Sequence, residues 1–575
     1  MKKLVAAVLV ILAALIVLPG GAVAIAADAQ PSKFEVGLVK TALLVVEQAI
    51  SAETGKRAEI KYQSLMVDGE KLVIQGLTLT IHFKKPTTLT IKKITISDLQ
   101  PRLGRPAVLG LSGKLEDVSG QIDPTTNIKA SLVQCHDLLV GLDQDTASVG
   151  YLKALDVTVE AAGKGTFRLA LLEVTGFSYN QQDEVKLTAG LLREFAFSEG
   201  RPGQGTGGFS LTVSSADIKG LFFRERQEKI TLAECRVVGM QGAENNGLFK
   251  LGALDVRQLD FDANHHARIK YFKAADVSYY ERGPKGPQQG GELLSLTLAS
   301  VNLAKLSDPS TYSIGKFDVR DLGIMTSGRE LLRLARVATT STNDGKIMRG
   351  LFVIDALKLN AASLPNEAAE FIKQLGHDAL VFNLRAEADI YHATQLLDLK
   401  VFKLWSDQLG VLSYSVKIGG FKIDPNKPRT STRLMQQTAT IISGKASYQD
   451  VALVPALIAM GARNAKLSPA QFTEMLIAQV RAEADGQHSP AFKAAAEEVI
   501  KFLRSPGEIH LNIKPSKPVK ISDLEGMNED QAIAALDVTF TAKPRPGYQP
   551  STTAPPAKPQ ATPSPQDGPT AGPNK

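Results

Sequence analysis

Along the first two-thirds of the chain, a polar or acidic residue returns about every twenty positions inside an apolar, strand-like segment. Asp98 (ITISDLQ), Asp117 (KLEDVSG), Asp137 (CHDLLVG) and Asp156 (KALDVTV) are spaced 19, 20 and 19 residues apart. The spacing then loosens through Glu173, Asp217, Asp255, Asp276, Asp318 and Asp355. A repeat of this length signals one supersecondary unit used many times. A body built that way presents a long surface rather than one pocket.

The interior of a unit shows what is repeated. Residues 248–263 (LFKLGALDVRQLDFDA) contain no turn-forming pair. Apolar side chains sit at Phe249 and Leu251, then Leu254 and Val256, then Leu259 and Phe261, so strand alternation slips by one residue twice, as bulges make it do. The next segment places Ile269, Tyr271, Ala275, Val277 and Tyr279 on one face. Each unit therefore reads as one strand of about 13–15 residues plus a loop, and consecutive units as an antiparallel meander. The fold expected is mainly β, a long meander whose accumulated twist curls it into a groove or incomplete barrel. The competing layout, a parallel β-helix, needs three short strands and regular turns in each unit.

The chain divides by pattern into five parts. Residues 1–26 read as a signal peptide or N-terminal anchor: Lys2 and Lys3 precede the apolar run Leu4–Leu18, then come a Pro-Gly-Gly break and small residues ending at Ala24 or Ala26, the cleavage candidates. Residues 34–55 read as a helix with its stop, because Val36, Val39, Leu43, Val46 and Ile50 recur at helical spacing before Gly55. The β repeat covers 58–360. A mixed α/β region follows over 361–542, with helices over 364–376, after Ser468-Pro469 and after Ser489-Pro490. The Pro-, Ala-, Thr- and Ser-rich stretch 543–575 reads as a disordered tail.

Chemistry-bearing motifs are sparse. The eight histidines show no HExxH or Cys/His spacing, and His265-His266 reads as a turn. The glycine-rich segment 203–208 precedes a strand, not the helix that a dinucleotide fingerprint opens. No GxSxG elbow occurs. No catalytic, cofactor or metal residue is therefore assigned, and the expectation is a protein that is not an enzyme. The recurrent aspartates read as markers of bulges or of the solvent face, in preference to a cation-binding ladder, because stacked carboxylates repel. Aromatics are 6% with a single tryptophan, Trp405, and the net charge of +7 is spread along the chain, so nucleic acid is set aside. Cys135 and Cys235 lie in similar segments about five units apart, roughly 24 Å in a flat sheet at about 4.8 Å per strand. That exceeds the reach of a bridge, which favours equivalent buried thiols over a disulfide.

The export segment, the following helix, the segment 60–81 (IKYQSLMVDGEKLVIQGLTLTI) and the repeats after it resemble AsmA-type envelope proteins over roughly residues 1–360. The part from 440 to 541 is similar to the ends of uncharacterised exported proteins of alphaproteobacteria. The resemblance implies a periplasmic protein that handles lipid between membranes or maintains the envelope, and it carries over no catalytic residue. The apolar stripes agree with it. Leu169, Leu171, Leu254, Val256, Ile269 and Tyr271 are the candidates for an apolar groove. Its expected occupant is a phospholipid or other acyl lipid, and an inner-membrane or envelope protein is the expected partner. The alternative is a scaffolding protein with a closed core.

Overall fold

The structure, a computed structural model, describes residues 37–548 apart from 38, 41–42, 45–46, 49, 52–54, 69–70, 103–107, 142–146, 181–183, 200–207, 245–246, 264–265, 284–285, 304–311, 422–436 and 487–488. The segment 1–26 with Ala24 and Ala26, Val36, Val46, His265, most of the glycine-rich loop and the tail from 549 lie outside the described residues, as does the side chain of Asp98. The chain divides into two units, with the boundary between Leu364 and Pro365.

The described residues between 37 and 51 are helical (α1). Strands β1 (Ala58–Lys61) and β2 (Ser64–Asp68) both pair with β3 (Lys71–Ile81). Then come β4 (Thr87–Arg102), β5 (Val108–Asp123), β6 (Thr126–Gly141), β7 (Ala147–Ala161), β8 (Gly165–Asn180), β9 (Glu184–Glu199) and β10 (Phe209–Arg224). The series ends with β11 (Lys229–Glu244), β12 (Gly247–Phe261), β13 (Ala267–Gly283), β14 (Gly286–Leu303), β15 (Tyr312–Thr326), β16 (Arg329–Asn343) and β17 (Ile347–Asn360). From β3 onward each strand pairs antiparallel with the next, in an open meander. One strand per repeat is therefore correct, and the antiparallel pairing excludes the parallel β-helix.

Two rows of left-handed residues cross this sheet. From β5 to β15 and again in β17, each strand holds one residue at φ between 48 and 64°. In odd-numbered strands these are Asp117, Asp156, Glu194, Gly239, Asp276, Asp321 and Ala356, and they fall in one row; in even-numbered strands Asp137, Gly176, Gly220, Gln258 and Ser300 fall in a second. An L-residue at left-handed φ costs roughly 1–2 kcal/mol, least for Asp and Asn, and glycine avoids the cost. That is why aspartate recurs here. After Asp156 the positions continue at less even spacing, and at Gly176, Gly220 and Gly239 glycine takes the aspartate's place. Close approach reinforces the choice, since a Cβ on Gly176 would lie 2.3 Å from Thr188 Oγ1.

Each left-handed residue resets which side chains face inward. In β3 the buried residues are Leu72 and Ile74, then Leu77, Leu79 and Ile81, with Gly76 (φ 59°) at the break. In β7 they are Val149, Ala154 and Val159, with Asp156 between the last two. The two slips read in residues 248–261 fall at Gly252, opposite Asp276, and at the left-handed Gln258.

In the second unit, α2 (Asn366–Gln374) precedes the meander β18 (Ala379–Tyr391), β19 (Leu396–Ser406), β20 (Gly410–Gly419) and β21 (Thr440–Asp450). Helices α3 (Leu453–Ala465), α4 (Pro469–Asp485) and α5 (Pro490–Arg504) follow, then β22 (Glu508–Ile513), β23 (Val519–Lys520), α6 (Ile521–Leu524), α7 (Glu529–Leu536) and β24 (Val538–Lys543). Ser468 caps α4 through a reciprocal box with Gln471, and Ser489 accepts from Phe492 N. Helix α3 has no such start signal, and Pro455 sits within its first turn. Residues 544–548, read from sequence as the start of the tail, are tied to this unit by Arg545.

Asp276→Gly should leave stability within about 1 kcal/mol, whereas Asp276→Val should lower it by roughly 1–2 kcal/mol because a β-branched residue resists left-handed φ. Urea midpoints of the two variants check this.

Candidate functional site

Residues paired across neighbouring antiparallel strands share a face of the sheet, so register identifies what each face offers. One ladder starts at Leu72 and passes Ile96, Gly113, Cys135, Leu152, Val174, Gly190 and Ile218 to Cys235. It continues through Val256, Phe272, Leu298, Phe317 and Thr339 to Phe352. A neighbouring ladder starts at Ile74 and passes Ile94, Leu115, Val133 and Ala154 to Leu172. It is apolar at every later step, ending at Val319, Val337 and Ile354. Beyond the first row of left-handed residues, Leu169, Phe195, Val213, Met240, Leu251 and Val277 make a third. One face of the unit is thus apolar across all the long strands.

Four of the six sequence-chosen groove residues lie on this face: Leu169, Leu254, Val256 and Ile269. Leu171 and Tyr271 lie on the other. Leu171 pairs with Arg193, and Tyr271 pairs with Arg257, whose guanidinium stacks 5.2 Å from its ring centroid. The reason is the alternation reset at Ala170 and Lys270, each of which faces left-handed residues on neighbouring strands. Counting by twos across those positions carries the wrong side chain inward. Leu172 and Phe272 are the inward residues there.

The apolar face differs along its length. At its N-terminal end Val39, Leu43 and Ile50 of α1 pack against Leu72, Ile74, Leu77, Ile91 and Ile94 in one buried cluster that reaches Val159. Farther along, large side chains on the same face are open: Tyr279 is 45% exposed and Phe352 37%. Both cysteines are free thiols on one ladder. Burial pushes the Cys135 thiol up from its ordinary pKa; burial, then the charges of Asp217 and Asp255, do the same for Cys235.

The opposite face is polar. Midway between the two rows sit the other recurrent acids, each beside a cation: Glu173 with Lys153 Nζ at 2.8 Å, Asp217 with Arg193 at 3.5 Å and Asp255 with Arg257 at 2.7 Å. Asp318 is buried and receives Arg320 Nε at 3.2 Å and Arg336 Nη2 at 3.0 Å. Burial alone would raise its pKa, but hydrogen bonds from the two guanidiniums outweigh this and hold it below the usual carboxylate range. Asp117, Asp137, Asp156 and Asp276 thus occupy left-handed row positions, while Glu173, Asp217, Asp255 and Asp318 form central ion pairs. Among the described residues no group of three or more His, Cys, Asp or Glu is arranged to hold a metal ion.

The densest polar cluster of the second unit is a clamp. The Asp450 side chain is fully buried. Its Oδ1 accepts from Tyr448 OH at 2.9 Å and from Val454 N, at the start of α3, at 2.8 Å. Arg545 Nη2 donates to Asp450 Oδ2 at 3.1 Å and to the carbonyls of Asp450 and Val451 at 2.6 and 2.8 Å. Burial, then the Asp450 charge, push the Tyr448 hydroxyl far up. A neutral tyrosine, a carboxylate held by an arginine and a helix start make a structural joint.

A family model described only as an uncharacterized protein matches residues 403–543, within the second unit. No curated protein matches the chain. Among the described residues no helix is long and apolar enough to cross a membrane.

Removing Arg545 strands a buried carboxylate, so Arg545→Ala should destabilise the second unit by about 3–5 kcal/mol, read as loss of its unfolding transition. Because the folded-state pKa of Asp318 is depressed, its contribution is fully present above its unfolded value of about 3.9 and is lost as pH falls through the folded value. Asp318→Asn should therefore flatten the fall of the urea midpoint below about pH 4.

Proposed function

We propose that the protein is a non-enzymatic cell-envelope component that binds acyl lipid along the apolar face of its β meander. The observation that carries the reading is the long apolar register. Two ladders that begin at Leu72 and Ile74 run through fifteen strands to Phe352 and Ile354, interrupted by no charged residue. Large residues on it remain more than a third exposed, and monomeric soluble proteins rarely expose contiguous apolar surface on such a scale. Hydrocarbon chains suit it. Each buried methylene contributes about 0.8 kcal/mol without any directional bond, so affinity is high and selectivity for chain identity low. The N-terminal signal pattern and the resemblance to AsmA-type proteins support export to the periplasm and lipid handling between membranes.

Native mass spectrometry of protein prepared without detergent should show co-purified phospholipid. Phe352→Glu places a charge on the ladder at an already exposed position and should abolish lipid retention while leaving the thermal unfolding midpoint unchanged. Cys235 should react more slowly with a maleimide in the loaded protein than in the delipidated one. Lipid-free preparations, or a Phe352→Glu protein that keeps its lipid, would replace this reading with a scaffold that docks a protein along the sheet.

A further inference from the structure

We propose that α3 of the second unit is a membrane-docking element that seats on anionic phospholipid. Four of the large apolar residues exposed in this protein fall within 25 positions: Val451, Leu457, Met460 and Met475, between 38 and 45% exposed. The other two exposed large apolar residues described in this unit, Leu412 and Tyr414, lie together on β20. Leu453, Leu457 and Met460 repeat at helical spacing and form one stripe of α3. The opposite stripe is occupied. Ile458 and Ala462 are buried, and at the border between the two stripes Gly461 lies so close to Phe472 of α4 that a Cβ would come 2.5 Å from its ring. The outward stripe is therefore a second apolar face, on a helix that has already buried its first.

Charge selects the occupant. From Val451 to Thr473 the chain has no Asp or Glu, while Arg463 and Lys466, at the C-terminal end of α3, are exposed cations. The first acid beyond, Glu474, lies 3.8 Å from Arg504 Nε. An apolar stripe on a helix that carries cations and no acid fits the interface of an anionic bilayer, where side chains enter the acyl boundary and cations meet phosphates. At 13 residues α3 is about 20 Å long, too short to span a bilayer and suited to lying in its plane. The clamp at Asp450 fixes the start of this helix to β21 and to the C-terminal segment, so the stripe is presented on a rigid base. This inference does not depend on lipid binding by the first unit.

The full chain should sediment with vesicles of phosphatidylethanolamine and phosphatidylglycerol and not with phosphatidylcholine vesicles, and high salt should weaken the association. Leu457→Glu and Met475→Glu should each reduce vesicle binding about tenfold or more, and Arg463→Glu with Lys466→Glu should remove the preference for anionic lipid. Circular dichroism melts matching the parent confirm that the variants fold. Phe352→Glu should leave vesicle binding intact, and Leu457→Glu should leave co-purified lipid intact, so the two readings fail separately. Equal binding by Leu457→Glu, no preference for anionic vesicles, or a dimer that Leu457→Glu dissolves in the absence of vesicle binding would overturn the proposal.

Discussion

Everything in the first unit depends on one backbone conformation placed twice across the sheet. A regular strand alternates its side chains without end, and sixteen residues of perfect alternation would keep one fixed parity from loop to loop. Here a single left-handed residue on one strand, facing an extended residue on the next, breaks that parity. The next strand does the same about six residues away, so the strands from β6 to β15 are each divided into three short runs. Each run presents its own apolar residues to the same face. The conformation is costly for most side chains, and the chain meets it with glycine or aspartate at most of the positions.

The two faces that result are held by different physics. The inner one is a set of parallel apolar ladders with almost no polar atom to satisfy. The outer one carries acids midway between the rows, and neighbouring strands supply lysine or arginine across the register. Most of these pairs are solvated and contribute little to stability. The Asp318 cluster is the exception, since a buried carboxylate held by two guanidiniums would be costly with either one removed. The pairs also fix register: a one-residue slip would set like charges together and carry apolar side chains outward.

The apolar face is finished at one end only. Helix α1 supplies Val39, Leu43 and Ile50 to close it near β3, while toward β17 aromatic side chains stand open. The core is closed at the start, and large apolar side chains are exposed beyond it. The second unit is organised differently, with helices on short strands and a buried Asp–Arg joint. Its helix α3 leaves Leu457 and Met460 exposed.

The order of the strands was readable from the chain because it is local: loops recur every twenty residues, and a meander pairs each strand with its successor. Asp117, Asp137, Asp156 and Asp276 could be read as bulge markers because left-handed φ selects aspartate. Helices α4 and α5 announced themselves through Ser-Pro starts, whereas α3 carried no such signal. Beyond that, the sequence alone determined that one face would be apolar. Which residues form it, Phe272 rather than Tyr271 and Leu172 rather than Leu171, was decided only by the tertiary structure. Parity at Lys270 or Ala170 is set by a left-handed residue on another strand, and no pattern within one strand contains that information.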